Sequence, residues 1–160
     1  MNKNFHHPKT TESGPAKIYN CSTTKSSRIF KFVSRAVSAS GIRTPIEIHV
    51  FGNRNYPGIN GELSFSANKT RDILIHIGKR ITDPAPRGLN KKIWFIILHE
   101  IGHELDRVWE KYGRKYENGY NYDYFKKNKM SQKEYNALPP ERAANKFARK
   151  IIKKYPAPKL

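Results

Sequence analysis

Apolar positions recur with a helical period between Ser26 and Gly41: Ile29, Phe32, Val33, Ala36 and Val37 fall on one stripe. Ser26 or Ser27 can cap the start of that helix and Gly41 can close it. The period then changes to two. In "IEIHVF" Ile46, Ile48 and Val50 alternate with Glu47, His49 and Phe51, and in "ELSFSA" Leu63, Phe65 and Ala67 alternate with polar residues. In "DILIHI" Ile73, Ile75 and Ile77 share one face. The connections "GNRNYPGING" and "NKTR" carry turn chemistry, so these three segments predict a three-stranded, mostly antiparallel meander.

After the breaker "TDPAPRG" a helix is expected from Leu89–Lys92 to about Lys111, with Trp94, Leu98, Ile101, Leu105 and Val108 on its buried stripe. The last predicted helix, "PPERAANKFARKIIKKY", is opened by proline. It sets Ala144, Phe147, Ala148 and Ile151 on its apolar side, with Arg142, Lys146, Arg149, Lys150 and Lys153 elsewhere. Residues 1–24 are polar and without a period, and are expected to form a flexible tail. Residues 25–160 then make a single α+β domain: an N-terminal helix, the small sheet, a central helix and a C-terminal helix, with a Tyr/Lys-rich insert at about 112–138.

Composition narrows the function classes. With 31 Lys+Arg against 13 Asp+Glu the net charge is +18, which favours nucleic acid, anionic lipid or an acidic protein as partner, or serves solubility alone. A single cysteine, Cys21, excludes an intramolecular disulfide and a cysteine-based zinc site. No window has transmembrane length, and the first residues lack the apolar core of a signal peptide. The expected location is the cytoplasm, with export by a signal-independent route left open, and no membrane insertion is expected.

Against this background the stretch "WFIILHEIGHELDRVW" changes the picture. His99, Glu100 and His103 spell H-E-x-x-H, and on a helix residues i and i+4 lie one turn apart on the same side, so both imidazoles can reach one ion. Neutral imidazole suits Zn²⁺. Glu100, about 100° around the helix from His99, is placed to take a proton from the attacking water and pass it to a leaving amine. Chance would place this pattern in roughly one shuffled chain in eighty, and seldom on an amphipathic helix after a sheet. Gly102 leaves room beside the ligands for substrate or for a crossing element.

A zinc site needs a third protein ligand. Asp106 shares the side of His103 but lies about 10 Å along the axis from His99, and suits hydrogen bonding to an imidazole better than ligation. His49 and His76 are further candidates from the strands. Glu141 is the strongest: it starts the last helix, 38 residues after His103, on the side of Ala144 and Ala148. An inward carboxylate there needs a partner.

"LHEIGHELD" followed by "ERAANKFARKII" resembles the zincin metallopeptidases in which H-E-x-x-H is joined by a glutamate from a downstream helix (gluzincin type). Within that group it resembles the ImmA/IrrE-like family, whose downstream helix typically reads E-x-x-A-N-x-F-A, matched by residues 141–148. A weaker likeness, on "HEIGHELD", is to the catalytic domain of the anthrax lethal factor group. The resemblance implies a small zincin-like fold and one Zn²⁺ per chain held by His99, His103 and Glu141, with Glu100 as catalytic base. Asp106 and Asn145 are the candidates for holding the ligand imidazoles from outside.

Tyr112, Tyr116, Tyr120, Tyr122 and Tyr124 crowd the insert. One of these, or His76, can supply an oxyanion donor, and the donor is left unassigned. Mixed with Lys126, Lys127 and Lys129, the tyrosines can also stack on single-stranded nucleic acid. Two functional classes follow. One is a zinc endopeptidase acting on a protein substrate, acidic or DNA-associated. The other is a catalytically silent zincin scaffold that binds nucleic acid or an acidic protein through its basic surface.

Overall fold

The computed structural model describes residues 9–22, 25–52, 61–65, 71–77, 89–105 and 130–159. They form an α+β domain with a mixed sheet, and no described helix is long and apolar enough to cross a membrane. The strands are β1 (Lys9–Ser13), β2 (Ala16–Cys21), β3 (Ile46–Gly52), β4 (Gly61–Phe65) and β5 (Arg71–Ile77). The helices are α1 (Ser26–Ser40), α2 (Leu89–Leu105), α3 (Gln132–Ala137) and α4 (Pro139–Lys154).

The segment expected to be a flexible tail instead contributes two strands to the sheet. Gly14, at φ 56°, and Pro15 make a two-residue turn between β1 and β2, with Ser13 paired to Ala16. Glycine first and proline second is the φ signature of a type II′ hairpin. β2 buries Ala16, Ile18 and Asn20 on alternate positions. Only Ile18 is strongly apolar, so this alternation is faint in the sequence. Asn20 holds the strand end: its Oδ1 accepts from the Ser22 N–H at 3.0 Å and from Ser22 Oγ at 2.7 Å. Its Nδ2 donates to Ser26 Oγ at 3.1 Å. Ser26 is thereby used as a tether for β2. The cap position of α1 is Lys25, without a side-chain hydrogen bond, in place of the expected serine.

The expected meander is also corrected. The strand order is β1-β2-β3-β5-β4, with β2 parallel to β3 and β3 parallel to β5. α1 is therefore the crossover of a βαβ unit between β2 and β3, and β4 is an outer strand, antiparallel to β5. Parallel pairing lines up Ile18, Ile48 and Ile73 across three strands, and Asn20, Val50 and Ile75 beside them. Of these six, the five apolar ones are fully buried. α1 covers this face with Ile29, Phe32, Val33, Ala36 and Val37, and Gly41 closes it in the left-handed conformation at φ 72°.

α2 is the central helix. Ile93 to Leu98 are buried without interruption, as expected of a helix surrounded by other elements. It packs against α1, β4, β5 and, most extensively, α4. Leu105, expected on the buried stripe, is 39% exposed, and Val108 lies outside the described residues. The edge of Phe32 meets Trp94 at 5.2 Å between ring centroids, and the Trp94 indole N–H donates to the Tyr155 carbonyl at 3.0 Å. That bond ties the chain leaving α4 to the core. α3 has no apolar stripe to announce it. It is nucleated by a capping box in which Ser131 and Glu134 satisfy each other's backbone N–H groups.

Candidate metal centre

Two prolines open α4 at Pro139 and Pro140, so Glu141 falls in its first turn. The helix buries Glu141, Ala144, Asn145 and Ala148, which face α2. The crossing is close because Gly102 of α2 has no side chain. A Cβ there would sit 3.2 Å from Ala144 Cα and 3.1 Å from Phe147 Cδ1. Of the two expected uses of Gly102, the structure shows the crossing element.

This approach brings three side chains to one point. His99 Nε2 and His103 Nε2 are 3.0 Å apart, and Glu141 Oε2 and Oε1 lie 3.2 Å and 3.4 Å from them respectively. The rings meet edge to face with centroids 4.6 Å apart. Two ligands about 2.0–2.1 Å from a tetrahedral ion are about 3.3 Å from each other, and each of these three pairwise distances is close to that spacing, with a different Glu141 oxygen nearest each histidine. Among the described residues this is the group of His, Cys, Asp and Glu able to hold a metal ion. Burial is deep, with the Glu141 side chain 4% and the His99 side chain 12% exposed.

The protonation pattern points the same way. Asn145 Oδ1 lies 3.1 Å from His99 Nδ1, which donates to it. In the neutral ring that tautomer leaves the lone pair on Nε2, facing His103 and Glu141. The His99 lone pair and the Glu141 carboxylate at this range need a hydrogen or a cation between them and the second imidazole, and a metal ion or the Nε2–H of His103 meets that need. Burial on its own raises the Glu141 carboxyl. The charge and hydrogen bonds of His103, and then of His99, outweigh it and hold Glu141 well below the usual carboxylate range. Phe95 stacks on the His99 ring at 5.9 Å and forms one apolar wall.

Glu100 is buried on the turn between the two histidines, and Glu104, directly after His103, is buried too, although the sequence did not single it out. The signal for Glu104 was available: it adjoins His103 and repeats Glu100 one helical turn later. The structure thus brings together His99, His103, Glu141 and Asn145. It does not bring His49 to them: that ring stacks on Tyr19 at 4.5 Å and its Nε2 contacts Glu47 at 3.3 Å, on β3. His76 lies on β5, and its side chain, like Asp106 and the tyrosines of the insert, is outside the described residues.

No family model matches this chain, and no curated protein or solved structure matches it either.

Proposed function

We propose that the chain is a zinc-dependent peptidase that hydrolyses a peptide bond of a protein substrate. His99, His103 and Glu141 hold one Zn²⁺ per chain, and Glu100 is the general base. The observation that carries this reading is the convergence of two imidazoles and a carboxylate, from two helices, with pairwise nitrogen–nitrogen and nitrogen–oxygen distances of 3.0 to 3.4 Å. Structural zinc sites fill four positions with protein side chains, whereas catalytic ones use three. Among the described residues the group numbers three.

Held by His99, His103 and Glu141, a zinc ion would supply Lewis acidity toward a substrate carbonyl and would make water a usable nucleophile near neutral pH. The chain's own residues supply the rest. Asn145 fixes the tautomer and the ring plane of His99, so that Nε2 faces His103 and Glu141. Glu100, buried one residue after His99, accepts the proton of the attacking water and delivers it to the departing amine. Phe95 helps to exclude solvent from the site. Among the described residues β4, against which α2 packs, is the outermost strand on its side of the sheet, and an extended substrate adds to its edge as a further strand. The surplus of cations favours an acidic or DNA-associated substrate.

Two measurements test the reading. Metal analysis of the purified protein is expected to find zinc at one ion per chain, and a clear deficit would end the proposal. The zinc-loaded protein is then incubated with a proteome-derived peptide library, and new termini are read by mass spectrometry. Glu100→Gln is expected to retain zinc and lose cleavage by a factor of about 10² or more. Equal cleavage by the variant would assign the chemistry to another group.

A further inference from the structure

The exposed faces of two helices carry cations and no carboxylate. At about 100° per residue, Arg142, Lys146, Arg149 and Lys153 of α4 lie within about 60° of one another, in a stripe about 16 Å long. All four are exposed. The one acid of α4, Glu141, is turned inward to the histidines. On α1 the same count puts Arg28, Lys31 and Arg35 in a second exposed stripe, and α1 contains no acidic residue. Among the described residues none of these cations takes part in an ion pair.

The α1 stripe borders a cavity of about 660 Å³ between α1 and the chain leaving α4, and the α4 stripe ends at Lys153, one residue before Lys154, which lines that cavity. Lys31 and Arg35 stand on one wall and Lys154 on the other, with Tyr155, Pro156 and Pro158 among the lining residues. Tyr155 is 42% exposed, although its backbone is held by Trp94 and by the bond from its own N–H to the Ile151 carbonyl. Lys154 Nζ lies over its ring at 5.3 Å. An aromatic ring anchored by its backbone, with Lys154 over one face, part of its surface exposed and Lys31 and Arg35 lining the same cavity, serves a ligand that is both flat and anionic.

We propose that this face binds single-stranded nucleic acid, with the cations of α4 and α1 taking phosphates and the Tyr155 cleft taking an unpaired base. Phosphates recurring along a strand match a cationic row longer than any single small anion would need. An acidic polypeptide would satisfy the cations but has no flat group for the cleft. A duplex keeps its bases stacked and away from a concave site, whereas a single strand can turn one out.

The test is fluorescence anisotropy of the full chain with a labelled oligothymidylate of about 20 nucleotides, over a salt series. Each phosphate contact on a single strand contributes about 0.7 to the slope of log affinity against log salt. Neutralising Lys146, Arg149 and Lys153 to Gln is expected to reduce that slope by about 2, with thermal melting used to check that the fold is kept. Tyr155→Ala is expected to weaken binding about tenfold and leave the slope unchanged, because stacking releases no counterions. Absence of binding at about 50 mM salt would overturn the proposal. So would a duplex bound as tightly as the single strand, or a Tyr155→Ala variant that binds like the parent. Displacement by polyglutamate as effective as by unlabelled oligonucleotide would instead assign the face to an acidic protein.

Discussion

Gly102 and Ala144 meet backbone to backbone where α2 crosses α4, and this contact sets the distance between the histidines and Glu141. A methyl group at 102 would sit 3.2 Å from Ala144 Cα and 3.4 Å from its carbonyl oxygen. Neither atom can swing aside as a flexible side chain would, so the helices must part by a few tenths of an ångström. Ligand positions around zinc tolerate only about 0.2 Å.

Gly102→Ala therefore separates folding from metal binding. Alanine gains about 1 kcal/mol of helix propensity, which offsets the crowding in the metal-free protein. The melting temperature of that form is expected to change little. Zinc affinity, measured by competition with a chelating dye, is expected to fall on the order of tenfold. An unchanged affinity would show that the crossing has slack and does not tune the site.

Asn145→Ala tests the tautomer argument. Removing the acceptor 3.1 Å from His99 Nδ1 frees the ring to rotate and to exchange tautomers. Zinc affinity is expected to drop about 10- to 100-fold. Asn145→Asp keeps an acceptor in the same place and is expected to recover most of the loss, which a purely steric role for the amide would not produce.

The depressed Glu141 carboxyl predicts an acid-sensitive apo-protein. Its folded-state value lies below the ordinary one, so the unfolded chain takes up the proton first as pH falls. The stabilisation is complete above the ordinary value of about 4.3 and drains away as pH drops from there toward the folded value. Thermal melts of the metal-free protein between about pH 6 and 3 are expected to fall more steeply for the parent than for Glu141→Gln, which has no proton to take. Parallel curves would mean that Glu141 is not paired with the histidines in solution.

The candidate site was far more legible in the sequence than the sheet. His99, Glu100 and His103 follow a spacing fixed by helix geometry, so their shared side required no knowledge of the fold. Glu141 could be singled out because the last helix has a proline start and a clear apolar stripe, and Asn145 came with the resemblance of residues 141–148 to a downstream zincin helix. Strand pairing leaves no such trace. "IEIHVF" and "DILIHI" look the same whether their neighbours run parallel or antiparallel, and the crossover through α1 is a long-range fact. β1 and β2 were missed for a different reason. Their pattern is carried by Ala16, one isoleucine and a buried asparagine, and no hydropathy period registers a buried asparagine as inward. The Gly14-Pro15 turn was the local signal that could have exposed them.

Asn20→Ala puts that correction to a test. A residue in a mobile tail can be truncated without cost, because it makes no contact that folding creates. In the structure Asn20 is buried between β2 and the start of α1, donating to Ser26 and accepting twice from Ser22. Truncation removes all three bonds at once and leaves a small void beside Val50, its partner across the parallel ladder. Unmet hydrogen bonds at a buried position cost about 1–3 kcal/mol, which urea unfolding resolves as a lower midpoint with an unchanged slope. A midpoint equal to the parent's would return residues 9–22 to the tail and detach β1 and β2 from the sheet. The metal centre, built on α2 and α4, would stand apart from that outcome, because neither helix depends on β2 for its ligands.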